Sequence, residues 1–159
     1  MSMNTVLLAF GPKDEQRTEE LLDTATSIVD PDGTVVLLHA FGRKRYEEIS
    51  TKLNIDDDSE ITPDDVARRT RPVREMADRL DRVGVDYVVR GALGQASDAI
   101  IRESETADAD LLVVGGRSRS ATGKALFGST AQKVLFEADC PVTFVKEQSE
   151  TTKKAAAPA

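Results

Sequence analysis

Apolar residues along this chain fall in short unbroken runs, and the segments between the runs carry apolar residues at helical spacing. Thr5 to Phe10, TVLLAF, is the first run and reads as a strand buried on both faces, stopped by Gly11-Pro12. Asp14 is placed to cap a helix whose Leu21, Leu22, Ala25, Ile28 and Val29 share one face. Asp30-Pro31-Asp32-Gly33 is a turn, and Thr34 to His39 is the second strand. Thr62-Pro63-Asp64-Asp65 starts a further helix, with a cap, a proline at the first position and acids in the first turn. Val66, Val73, Met76, Leu80 and Val83 continue it, with a kink or break expected near Arg71 because of Pro72. Val85 to Arg90 is the third strand, and Gly91 to Gly94 is read as a turn. Ala96, Ala99, Ile100 and Ala107 mark the next helix. Leu111 to Val114 is the fourth strand, stopped by Gly115-Gly116. Ala131, Val134, Leu135 and Ala138 lie on a last helix, and Pro141 to Lys146 is the fifth strand.

This β-α alternation predicts an α/β domain with a doubly wound, five-stranded parallel sheet, right-handed crossovers and helices on both faces. The domain spans residues 1–146. From Glu147 onward, EQSETTKKAAAPA lacks a periodic apolar pattern and is expected to be a disordered tail. Phe41 to Ile61 carries no clear period. Its acidic run, Asp56, Asp57, Asp58 and Glu60, matches no calcium-loop spacing and reads as a solvated loop.

Composition narrows the function classes. The net charge of −7 disfavours nucleic acid as a general partner. No apolar run approaches the roughly 18 residues of a membrane span, and the start MSMNTVLLAFG lacks the basic region of a signal peptide, so a cytoplasmic protein is expected. The one cysteine, Cys140, excludes an internal disulfide and reads as a small packing residue. The one histidine, His39, reads as a structural residue at a strand end; no metal site is expected.

The chemistry concentrates between Leu111 and Leu135. There a buried strand ends in glycines, and a Ser- and Gly-rich connection carries Arg117, Arg119 and Lys124 without an acid. Gly128-Ser129 then opens a helix, with Ser129 as expected N-cap and Gln132 three positions on. A helix start presents unpaired N–H groups and positive dipole charge, and glycine lets a phosphate approach the backbone. This is an anion site or, equally well on these residues, a surface loop before an ordinary capped helix.

The stretch VVGGRSRSATGKALFGS resembles the signature of the universal stress protein (UspA) family, and its GGR…TGKALFGS wording resembles haloarchaeal members. Nucleotide-binding members carry Gly, two residues, Gly, nine residues, Gly, then Ser or Thr. Gly115, Gly128 and Ser129 match, Arg119-Ser120 matches the family's Arg-Ser, and Ser118 stands where the middle glycine belongs. The resemblance extends from Asn4 to Val145. It implies strand order 3-2-1-4-5, the adenine nucleotide alpha hydrolase-like arrangement, in which the first and fourth strands flank a ligand crevice. It implies a site for ATP or another adenine nucleotide, with or without Mg²⁺, formed by Gly11, Ala40, Gly115, Ser118, Arg119, Ser120, Gly128, Ser129 and Thr130. The phosphates would sit on Gly128, Ser129 and Thr130, and the backbone of Ala40 would contact adenine. It also implies a homodimer paired through Pro141 to Lys146.

Two departures stand out. Where relatives carry an Asp after the first strand, this chain has Gly11, which leaves no side-chain acceptor unless Asp14 turns in. Ser118 costs roughly 1 kcal/mol if that position needs a left-handed backbone. Two functions therefore stay open: a nucleotide-binding stress or signalling module with little or no catalysis, at most very slow ATP hydrolysis, or a dimeric interaction protein with a structural loop. A flavodoxin-type protein is disfavoured, since Gly11 to Asp14 offers no run of Ser and Thr donors and the chain has no Trp. Hydrolase chemistry lacks a GxSxG elbow.

Overall fold

The computed structural model describes residues 2–54, 60–116 and 128–146. Five strands form one parallel sheet: β1 (Thr5–Phe10), β2 (Thr34–Phe41), β3 (Asp86–Leu93), β4 (Leu111–Gly116) and β5 (Val142–Lys146), in the order β3-β2-β1-β4-β5. The helices are α1 (Thr18–Ile28), α2 (Arg43–Lys52), α3 (Pro63–Arg69), α4 (Arg71–Val83), α5 (Ala96–Thr106) and α6 (Ser129–Glu137), with a 3₁₀ turn over Pro12–Arg17.

The strict alternation of side chains along each strand divides the core in two. Val6, Leu8 and Phe10 of β1 join Val35, Leu37 and Phe41 of β2 under α1, α3 and α4. Leu7 and Ala9 join Val36, Leu38 and Ala40 under α5 and α6, with Ile100 and Val134 reaching in. Leu7, Leu8, Leu37, Leu38 and Leu112 have no exposed surface. Burying such a side chain is worth about 1.5–3 kcal/mol, so both faces are needed to stabilise the sheet. This explains why the strands read as unbroken apolar runs.

The winding reverses at β1. The β1-to-β2 and β2-to-β3 crossovers lie on one face and the later two on the other. A crevice therefore opens beyond the carboxyl ends of β1 and β4.

Several expectations are corrected. Phe41 to Ile61 contains a helix, α2, that has no fully buried residue; half-buried Tyr46 and Ile49 pack on the core. Strand three does not end at Arg90 but continues through Gly91 to Leu93, so Gly91 to Leu93 is strand rather than turn. The reason is a close approach at Gly91. Its N–H donates to Asp64 Oδ1 at 2.7 Å, and a Cβ there would meet the carbonyl oxygen of Pro63 at 2.1 Å. Strand two runs two residues past His39 for the same ladder, with Ala40 opposite Ala92. Asp14 is not the helix cap; the 3₁₀ turn intervenes before α1.

The Thr62 cap and the break near Arg71 match expectation. Thr62 and Asp65 form a reciprocal capping box, and Thr70 is extended (φ −74°, ψ 146°) between α3 and α4, with Pro72 in the first turn of α4. Residues 55–59, which include the acidic run at 56–58, and residues 147–159 lie outside the described residues.

Candidate functional site

The site is built from the carboxyl ends of β1, β2 and β4 and the amino end of α6. At β1, Gly11 is half-buried and extended, and a Cβ placed on it would meet nothing within 4 Å among the described residues. Asp14 folds back onto it: the Gly11 N–H donates to Asp14 Oδ2 at 2.9 Å, and the Asp14 N–H donates to the Gly11 carbonyl at 2.9 Å. The other carboxylate oxygen, Oδ1, lies 3.3 Å from Nε of Arg17, whose side chain is buried. Asp14 is thus committed to the turn and to Arg17.

Gly115 lies against this same pair. It is a strand residue of β4, opposite Val145, and Gly116 pairs with Lys146, so the two glycines extend the strand instead of stopping it. A Cβ on Gly115 would sit 2.6 Å from Asp14 Oδ1 and 2.8 Å from Arg17 Cδ. Real Cβ atoms do not approach that closely, so any side chain here would force the Asp14–Arg17 pair to shift. The Asp14–Arg17 pair at the crevice was missed from the sequence. Its one available signal was a charged pair three residues apart beside the first strand's end.

At α6 the expected cap is also corrected. Gly128, extended at φ −63° and ψ 156°, is the N-cap, and Ser129 is the first helical residue. Among the described residues no side chain caps this end, and the Gln132 N–H bonds the Gly128 carbonyl at 3.0 Å. The first-turn N–H groups have no acceptor within the helix. Gly128, Ser129 and Thr130 are all exposed, and among the described residues nothing lies within 4 Å of a Cβ on Gly128. No acid stands in the first turn. Such an end attracts an anion, worth about 0.3–1 kcal/mol when exposed.

Ala40 lies within β2, not after it, with a buried methyl and a backbone one residue past the last β1 pair, Phe10 with His39. The structure therefore brings Gly11, Ala40 and Gly115 to the carboxyl edge of the sheet, where α6 also begins with Gly128, Ser129 and Thr130. Ser118, Arg119 and Ser120 lie outside the described residues.

A cavity of about 250 Å³ adjoins β1 and β2, lined by Phe10, Gly11 and His39 together with residues of α2 and of the α3–α4 junction. His39 is not simply a strand-end residue. It is 6% exposed, stacked on Phe41 at 4.0 Å and tilted to Phe10 at 4.9 Å. Burial, helped by the Arg45 charge, lowers its pKa from 6.5 to about 4, so the ring is neutral at pH 7. Cys140 is half-buried, and burial pushes its thiol pKa up, away from the reactive thiolate. Among the described residues, no group of three or more His, Cys, Asp or Glu side chains could hold a metal, and no helix is long and apolar enough to cross a membrane.

Comparisons with known proteins agree with this architecture. The model of the Universal stress protein family matches residues 3–146. A universal stress protein of Mycolicibacterium smegmatis is 37% identical over 79 residues, covering 49% of this chain and 61% of that protein. The chain thus spans less than two thirds of this curated relative. Among solved structures, a universal stress protein in complex with cAMP superposes with a TM-score of 0.63 at 20% identity, covering 93% of this chain and all of the other. A universal stress protein family protein from Arabidopsis thaliana with AMP bound gives 0.61 at 16% identity, covering 94% and 95%. At these identities the structural likeness speaks for the fold.

Proposed function

This chain belongs to the universal stress protein family, and from that premise we propose that it is a stress-response or signalling module that binds an adenine nucleotide with little or no catalysis. The observation that carries the reading is the open start of α6. Gly128, Ser129 and Thr130 are exposed, uncapped by any side chain among the described residues and free of first-turn acids, at the carboxyl edge of a switched parallel sheet. The phosphates sit on this turn, held by backbone N–H groups and the Ser129 and Thr130 hydroxyls. The base points toward Gly11 and the backbone of Ala40. Gly115, Ser118, Arg119 and Ser120 complete the loop side. ATP, AMP and cyclic AMP are the candidate ligands, with Mg²⁺ where the ligand carries more than one phosphate. Relatives of this fold hold cAMP and AMP.

The base end has fewer side-chain contacts than a site with an aspartate after the first strand. Gly11 supplies none, and Asp14 is held by the Gly11 N–H and Arg17. Affinity then rests mainly on the phosphate end. Thermal melting with and without millimolar ATP, AMP or cyclic AMP tests this reading. A ligand at about 100 times its dissociation constant stabilises the fold by roughly 2.7 kcal/mol. The expected result is an upward shift that Gly128→Val abolishes. Melting that no nucleotide moves would refute the reading.

A second reading, self-association, is favoured by a separate observation. The edge strand β5 leaves Val142 to Val145 half-buried, and Phe136 of the neighbouring α6 is 81% exposed beside exposed Leu135. An edge strand with apolar neighbours needs a cover. A homodimer pairing Pro141 to Lys146 with its copy supplies one. Such a dimer is compatible with the nucleotide site.

A further inference from the structure

The cavity beside β1 and β2 carries its own chemistry. Its aromatic wall is Phe10 and the His39 ring, and Ile49, Leu53 and Pro72 add apolar surface. At about 250 Å³ it is smaller than the roughly 300–1,000 Å³ of sites for drug-sized ligands. A single substituted ring fits that space and a whole nucleotide does not.

Two polar features bear on what the cavity could hold. The first is His39 Nδ1, which is buried and has no hydrogen-bond partner among the described residues. Buried polar atoms are nearly always paired, so this one calls for an explanation. The ring's close neighbours are the faces of Phe10 and Phe41, which accept no N–H in its plane. In the Nε2–H tautomer of the neutral ring, Nδ1 presents a lone pair to a donor. The second feature is charge. Arg45, Lys52 and Arg71 line the cavity against one acid, Glu48, in a chain that is acidic overall. Arg45 meets Glu48 only at 3.8 Å, and Arg71 meets Glu75 at 2.9 Å on a largely exposed side chain, so both pairs are weak and exchangeable.

We infer that this cavity is a second ligand site, for a compact aromatic acid. The ring lies against Phe10 and His39, a hydroxyl or amino group donates to His39 Nδ1, and a carboxylate at the opposite end meets Arg45, Lys52 and Arg71. None of these polar residues takes part in the nucleotide reading; the cavity borders that site at Gly11, and the inference does not depend on it.

The chain's single histidine makes the test direct. The full chain, labelled with ¹⁵N-histidine, is titrated with 4-hydroxybenzoate, which has ring, donor and carboxylate. Benzoate lacks the donor, 4-hydroxybenzyl alcohol lacks the charge, and AMP reports on the nucleotide site. The expected result is a saturable upfield movement of the Nδ1 resonance with 4-hydroxybenzoate, absent with benzoate. The alcohol moves it with several-fold weaker affinity. His39→Phe weakens 4-hydroxybenzoate about tenfold, Arg45→Gln weakens it less, and Gly128→Val leaves it unchanged. Absence of any Nδ1 movement at about 10 mM acid overturns the inference, and so does undiminished binding to folded His39→Phe. Displacement of the acid by AMP overturns it too, because the cavity would then be the base end of the nucleotide site. If His39→Phe does not fold, the titration of the unmodified chain decides alone.

Discussion

His39 makes the stability of this protein depend on pH in a way that one substitution isolates. In the folded chain the imidazole is packed between Phe10 and Phe41 and titrates at about 4, while in the unfolded chain it titrates near 6.5. Between those values the unfolded chain binds more protons than the folded one, so stability falls as pH falls through that window. The contribution is fully present above about pH 6.5 and fully lost below about pH 4. A difference of 2.5 pK units corresponds to about 3 kcal/mol at most, and about 2 kcal/mol is already lost at pH 5. Other cavity charges set the local field: Arg45 and the nearby Lys52 and Arg71 oppose a second positive charge, and Glu48 favours it. Urea denaturation from about pH 7.5 to about pH 5 measures the effect in the native sequence and in His39→Phe. Carboxylates contribute equally to both curves and cancel in the difference. The variant should lose about 2 kcal/mol less stability than the native chain over that range. Parallel curves, or a folded-state His39 titration near 6.5 by NMR, would refute the reasoning.

Four further outcomes follow from close packing and the open edge. Gly115→Ala should destabilise by about 1–3 kcal/mol, measured by chemical denaturation, because its methyl would displace the Asp14–Arg17 pair from 2.6 and 2.8 Å. Gly91→Ala should cost at least as much, since its obstacle is the backbone of Pro63. Asp64→Ala, which leaves the Gly91 N–H without its 2.7 Å partner, should cost about 1–3 kcal/mol in the same assay. On the proposed β5 dimer, Phe136→Asp should shift the protein toward monomer in sedimentation without unfolding it; unchanged mass would argue against the β5 interface.

Much of the frame was legible because it depends on local rules. Runs such as TVLLAF and LLVV announce strands buried on both faces, and Thr62-Pro63-Asp64-Asp65 announces a helix start that the capping box realises. Pro72 announces the break that Thr70 makes. The misses share a different cause. Helix α2 is RKRYEEISTK, and with no fully buried residue it has little apolar period to detect. Gly91, Gly115 and Gly116 read as strand stops because glycine punctuates loops. Their ladder partners, and the obstacles that crowd a side chain at 91 and 115, come from segments distant in sequence or across a turn. The helical start shifted by one residue for a related reason. A Ser beside a Gly resembles a cap, yet at α6 the Gly takes the extended position. The His39 cavity needed β1, β2, α2 and the α3–α4 junction assembled at once, and no spacing along the chain announces that.

The central claim is that an adenine nucleotide places its phosphates on the first turn of α6. Backbone amide NMR during titration with AMP reads this residue by residue. The account predicts saturable downfield shifts of the Ser129, Thr130 and Ala131 amides, as their unpaired N–H groups gain phosphate acceptors, and loss of those shifts in Gly128→Val. Amides at 129–131 that stay in place while AMP is in excess, or that move equally in the Gly128→Val protein, would contradict it.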